Sequence, residues 1–289
     1  MFYDLLIGPF SDFAFMRRAL AGTVALAAAG PPLGVFLILR RMSLTGDAMS
    51  HAILPGAALG YLVAGLSLGP LTIGGLAAGL IVAAGSGVVA RATILREDAS
   101  LAAFYLISLA LGVTIISLRG SNIDLLHVLF GSVLALDDST LILLAVIASV
   151  TLIVLALLYR PLVMETVDAG FLASVSGSSG FVQIAFLTLV VMNLVGGFQA
   201  LGTLLAVGMM MLPAASAMLM TGDMTLIILA AVVQGMLAGY AGLIISFYAG
   251  LPTGPLIILV AGIFYLAALV FGPAGGLLRH VKPGRHLEA

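Results

Sequence analysis

Asp47 and His51 stand four residues apart in the run Gly46-Asp47-Ala48-Met49-Ser50-His51-Ala52-Ile53-Leu54-Pro55-Gly56. On a helix this spacing puts both side chains on one face, about 6 Å apart along the axis. A carboxylate oxygen and an imidazole nitrogen placed that way can reach one divalent cation. Imidazole suits zinc, iron and nickel, and carboxylate suits harder ions such as manganese and magnesium. Two protein ligands are too few, so other helices, water or backbone must complete the shell. Pro55 adds a second feature. It has no N–H, so the His51 carbonyl loses its helical partner and the helix is expected to kink. The same residues permit a plainer reading. Ser43 or Thr45 would cap a helix, Asp47 would sit in its first turn, and His51 would be a packed core histidine.

The elements that carry these residues must lie in a membrane. Of 289 residues, 62% are hydrophobic and 8% are charged, and the mean hydropathy is +1.28. A soluble domain carries about a quarter charged residues. The apolar runs are helix-length, about 20 residues each, and the alternating pattern of an outer-membrane barrel is absent. The net charge of −1 gives no reason to expect a nucleic-acid partner. The absence of cysteine excludes disulfides and thiolate metal sites. The expected fold is therefore an all-α polytopic bundle forming one domain over residues 1–289. Residues 1–18 read as an interfacial segment rather than a cleaved signal peptide, because Asp4 and Asp12 precede Arg17 and Arg18.

About nine spans emerge: roughly 19–39, 48–66, 70–90, 100–118, 140–159, 181–196, 200–220, 225–248 and 255–272. The sixth and seventh are split only by Gly196-Gly197-Phe198-Gln199. Arg40 and Arg41, Arg91 and Arg96, Arg160, and the basic tail 279–289 follow alternate spans. Basic residues mark cytoplasmic loops, so the N-terminus is expected outside and the C-terminus in the cytoplasm. Arg17 and Arg18 oppose that orientation. Pro31-Pro32 should break or sharply kink the first span. The pairs Gly30/Gly34, Gly75/Gly79 and Gly235/Gly239 let helix backbones approach closely, within one bundle or between subunits.

Three sequence blocks resemble the membrane subunit of manganese/zinc/iron-type ABC importers. The first is Arg40-Arg41-Met42-Ser43-Leu44-Thr45 running into the segment quoted above. The second is Gly197-Phe198-Gln199-Ala200-Leu201-Gly202-Thr203-Leu204-Leu205 with Met211-Leu212-Pro213-Ala214-Ala215-Ser216-Ala217. The third is Leu129-Phe130-Gly131-Ser132. The blocks fall in family order along nearly the whole chain. The resemblance implies a type II ABC importer fold and a translocation path made by two copies. It also implies a cytoplasmic ABC ATPase dimer as the motor, with an extracytoplasmic metal-binding protein delivering the ion. ATP would bind only the partner subunits, and this chain has no G-x-x-x-x-G-K-[ST] loop. It would be no enzyme and hold no tightly bound cofactor; manganese, zinc or iron would be its cargo. Asp47 and His51 match the residues thought to meet that cargo.

Within this resemblance, residues 161–180 form the candidate coupling loop. Glu165, Asp168, Gly170 and Gly177 are its expected contacts with the ATPase. Pro55 and Pro213 are expected to kink the pathway helices. Asp124 and His127 could guide metal at the outer mouth, and Asp137 and Asp138 could attract cations there or simply cap the fifth span. Met209–Met211 read as core, because consecutive residues point in different directions on a helix. Asn193, Gln199 and Gln234 read as interhelical hydrogen bonds.

Two other classes compete. Gly177-Ser178-Ser179-Gly180 matches the G-x-S-G of intramembrane serine proteases, but the only later histidines are His280 and His286 in the tail, and no H-E-x-x-H exists. A proton-coupled secondary carrier would use Asp47 and His51 as a proton relay and need no ATPase.

Overall fold

The computed structural model describes residues 6–65, 67–94, 97–118, 136–168 and 179–278. All regular structure among them is helical. A short α1 (Gly8–Asp12) leads into α2 (Ala14–Leu39). Then come α3 (Thr45–Ala52), α4 (Leu54–Ala64), α5 (Leu68–Ala92) and α6 (Glu97–Leu118). The second half holds α7 (Asp138–Val167), α8 (Ser179–Leu201), α9 (Thr203–Met220), α10 (Met224–Ala249) and α11 (Thr253–Phe271). In hydrocarbon every backbone group must be paired internally, which helices alone achieve within one segment. Seven of these helices (α2, α5 and α7 to α11) are long and apolar enough to cross a membrane. α6 has a shorter apolar stretch, Ala99–Ile115, and the second expected span is the broken pair α3–α4. Each of the nine expected spans thus has a helical counterpart. Outward-facing Val63, Ile73, Ile81 and Ile263 give the bundle an apolar exterior.

α2 is the central rod and touches α7, α8, α9 and α10. It passes Pro31 and Pro32 without a break, although both were expected to interrupt it. Both prolines are buried there; α10 covers Pro31, since a Cβ on Gly235 would lie 3.4 Å from its ring. Pro213 likewise stays inside a continuous α9. The junction between α8 and α9 also differs from expectation. Helix α8 runs through Gly196–Gln199 and ends at Leu201, and the chain turns at Gly202. With φ 92° and ψ 158°, Gly202 adopts a conformation that a side chain would strain.

Small residues let the rods touch. A Cβ on Gly34 would stand 1.9 Å from the Met210 carbonyl oxygen. Gly75 and Gly79 receive Ile53 and Val191, while Gly235 and Gly239 lie over Ala27 and Thr23. All three expected pairs are therefore used within this chain. Met209 and Met210 are fully packed. The three amides also bond between helices: Asn193 Nδ2 to Thr151 Oγ1 at 2.6 Å, Thr72 Oγ1 to Gln199 Oε1 at 2.9 Å, and Gln234 Nε2 to Met220 Sδ at 2.9 Å. The Asn193–Thr151 bond is fully buried. A double-mutant cycle with Asn193→Ala and Thr151→Val, read by thermal unfolding in detergent, is expected to show coupling of about 0.6–1.7 kcal/mol. Additive single effects would reduce the bond to a packing contact.

Charges sit at helix ends. Asp137 caps α7 and accepts from the Thr140 amide at 3.1 Å. Hydrogen bonds from the Ser139 hydroxyl and from Thr140 hold its carboxyl down to about 2. The folded value lies below the ordinary one, so the cap is present above about pH 4 and is lost only as pH falls through about 2. Asp138 pairs with Arg18 at 2.7 Å. That contact puts Arg18 at the same end of the bundle as Asp138 and neutralises a charge that opposed the expected orientation.

Candidate metal site

The turn from α2 into α3 is tight. Arg40 ends α2, Arg41 takes a left-handed φ of 59°, and Met42 donates its N–H to the Leu37 carbonyl at 2.8 Å. Leu44, not Ser43 or Thr45, occupies the cap position of α3 and offers no side-chain bond. Asp47 lies in the first turn of α3 and His51 in the last. The opposite face of α3, with Ala48, Met49 and Ala52, is buried against the core that contains Phe36 and Phe186. Burial of that face fixes the exposure of the other.

α3 stops where Pro55 requires. Ile53 keeps helical dihedrals, but the hydrogen-bond ladder is interrupted and α4 starts at Leu54 with Pro55 in its first turn. Ser108 of α6 donates its hydroxyl to the Ala52 carbonyl at 2.9 Å, serving one acceptor freed at the break. In place of the expected kink there is a break between two short helices at Ile53.

His51 Nε2 lies 3.9 Å from Asp47 Oδ1. Two ligand bonds of about 2.1 Å to one ion can span at most about 4.2 Å, so the pair can share a cation without moving the helix. Asp47 is 69% exposed and His51 29% exposed. Both face an open cavity of about 360 Å³. Its near wall is Asp47, Ser50 and His51, and its far wall is Thr203, Leu204, Val207 and Gly208 of α9. Ser50 spends its hydroxyl proton on the Asp47 carbonyl at 2.7 Å. The Nδ1 atom of His51 is buried without a hydrogen-bond partner, and Tyr105 lies beside the ring with centroids 6.3 Å apart. Among the described residues no cluster of three or more His, Cys, Asp or Glu exists that could hold a metal. Among the described residues, Asp47 and His51 thus stand as a pair without a third such side chain beside them.

A profile of the ABC 3 transport family matches residues 12–272. The chain belongs to the ABC 3 transport family. It is a multi-pass permease subunit of an ABC transporter. Relatives match over most of its length. A manganese transport system membrane protein, MntC, of Listeria monocytogenes is 32% identical over 92% of this chain and 94% of its own. A chelated iron transport system membrane protein, YfeC, of Yersinia pestis is 29% identical over 95% and 92%. The solved structure of PsaBC from Streptococcus pneumoniae in complex with Fab superposes with a TM-score of 0.81 at 30% identity, covering 98% of this chain and 100% of that one.

The other expected site residues fall in different places. Asp124, His127, Gly170 and Gly177 lie outside the described residues, as does the block Leu129–Ser132. The expected coupling loop is shorter than residues 161–180, because α7 continues through Pro161 to Val167 and α8 begins at Ser179. Asp168 caps the end of α7 and is exposed. Glu165 turns inward. Its Oε2 binds Arg40 Nη2 at 2.6 Å, with the two side chains only 7% and 10% exposed. Ser179 also bonds Glu165, which occupies the serine of the protease-like motif. The Arg40–Glu165 pair was invisible in the sequence. Arg40 served there as an orientation marker and as part of the first family block, and nothing local points across 125 residues to Glu165.

Proposed function

We propose that this permease imports a divalent transition metal, Mn(II), Zn(II) or Fe(II), through a path formed by two copies of the chain. The observation that carries this reading is the pair itself: Asp47 and His51, 3.9 Å apart, open to a cavity, with no third His, Cys, Asp or Glu beside them among the described residues. A twofold axis would bring two such pairs together and give an ion four protein ligands. The exposure of Asp47 supports weak, reversible binding, which a transit site needs in order to release its ion. The names of the manganese and iron relatives support the cargo class.

The basic residues that follow alternate spans support an N-terminus outside and a C-terminal tail in the cytoplasm of a bacterial cell, with the chain in the cytoplasmic (inner) membrane. A metal-binding protein would dock outside, near the segment with Asp124 and His127. An ABC ATPase dimer would dock inside, at Asp168, Gly170 and Gly177. Glu165 contributes from within through Arg40. Pro55 frees α3 from the spanning rod. Family membership favours this reading over a proton-driven carrier.

The test is uptake of radiolabelled Mn(II) into proteoliposomes holding the permease, its ATPase and its binding protein. Import that requires ATP and persists without a proton gradient is the expected result. Import driven by the gradient in the permease alone would overturn the reading.

A further inference from the structure

Glu165 is bonded from both sides. One carboxylate oxygen accepts from Arg40 at 2.6 Å, and the other accepts from the Ser179 hydroxyl at 3.2 Å. Glu165 lies in the last turn of α7 and Ser179 is the first residue of α8. A single side chain thus ties together the two flanks of the segment proposed to meet the ATPase, and ties both to Arg40. The guanidinium also stacks on Phe186, with Cζ 4.8 Å from the ring centroid. Phe186 meets Phe36 edge-on at 6.1 Å.

Arg40 has little freedom on its other side. It ends α2, and the next four residues form the hydrogen-bonded turn that delivers α3. Met42 bonds Leu37, Thr45 bonds Met42, and Ala48 bonds Leu44. Six residues separate Arg40 from Asp47. The break at Ile53 leaves α3 a short unit that can shift without dragging α4 along. Burial leaves the ion pair almost unscreened by salt.

We infer that the Arg40–Glu165 pair is the joint through which movement at the α7–α8 flanks reaches the metal-site helix α3. Arg40 is a positioning residue in this scheme, since it never touches the ion. Displacement of Glu165 pulls on Arg40, and the taut turn passes that pull to Asp47 and His51. The inference rests on the importer reading given above.

The test uses the complete transporter, with its ATPase and binding protein, in proteoliposomes. Radiolabelled Mn(II) uptake and ATP hydrolysis are measured on the same vesicles. Removing one buried charge strands the other, so the decisive variant is the double Arg40→Gln/Glu165→Gln, which removes both. Arg40→Gln and Glu165→Gln are measured beside it. The double variant is expected to assemble and hydrolyse ATP near the normal rate while uptake per ATP falls about ten-fold. The charge exchange Arg40→Glu/Glu165→Arg is expected to recover part of that ratio. An unchanged ratio in the double variant, or uptake and hydrolysis lost in proportion, would show a purely structural role and overturn the inference. So would failure of all these variants to assemble. A wild-type complex that imports no Mn(II) with ATP would instead overturn the importer reading itself.

Discussion

Asp47→Ala and His51→Ala are each expected to lower metal uptake by about 100-fold or more, given that lost outer-shell partners alone cost 10–100-fold. In the proposed dimer symmetry sharpens the effect, because one substitution would remove two ligands from the shared site. Competing explanations are weak at this position. Asp47 is 69% exposed, so its removal opens no cavity. Its favourable place in the first turn of α3 is worth about 0.3–1 kcal/mol, too little to unfold a bundle. Asp47→Asn keeps the shape and discards the charge, and should resemble Asp47→Ala if the carboxylate binds the ion. His51→Cys should shift the preference from manganese toward zinc, since thiolate is the softer ligand. Uptake is read in cells expressing the full transporter, with the amount of permease in the membrane measured alongside. Normal uptake in both alanine variants would return Asp47 to helix stabilisation and His51 to packing.

Gly56→Ala is expected to destabilise the permease at or beyond the 1–3 kcal/mol typical of overpacking. A Cβ there would stand 1.9 Å from the carbonyl oxygen of Gly74, and a Cβ on Gly74 would stand 2.2 Å from that of Gly56. Carbon and oxygen approach to about 3.3 Å at closest. Both obstacles are backbone, so no side chain can swing aside and α4 must separate from α5. The separation starts one residue after Pro55 and so acts directly on the end of α3. Gly87 provides the control. It lies on α5 too, yet an added Cβ meets nothing within 4 Å. Gly87→Ala should stabilise by about 0.5–1 kcal/mol, the usual helical advantage of alanine over glycine. Thermal unfolding of the purified protein in detergent checks both. Equal effects at the two positions would contradict the close crossing of α4 and α5.

The number and order of the helices could be read from the sequence because hydrocarbon imposes a length and a polarity on every crossing. The Asp47–His51 pair was readable for a related reason: its geometry is local, set by one turn of one helix. Features made by distant residues were not. Pro31-Pro32 reads as a break on local grounds, yet α2 stays one continuous helix through it, packed against neighbouring helices. The split between the sixth and seventh spans is expected at Gly196-Gly197-Phe198-Gln199, whose two glycines instead serve close packing against Ile147 and Ala206. Gly202, two residues past Ala200, makes the turn. Glu165 reads as an ATPase contact in the coupling loop, and the approach of α2 to α7 instead buries it against Arg40. Charge in a membrane protein is informative about sidedness, but its partner is set by tertiary structure.

The proposed site, split between two copies, has a genetic consequence. In a cell expressing equal amounts of the normal chain and an Asp47→Ala chain, copies would pair at random in the proposed dimer. Most dimers would then contain at least one damaged half and lack a full set of ligands. The altered allele would interfere with the normal one rather than stay silent beside it. A substitution that blocks folding, such as Gly56→Ala at its most severe, removes its own product from pairing and should be recessive.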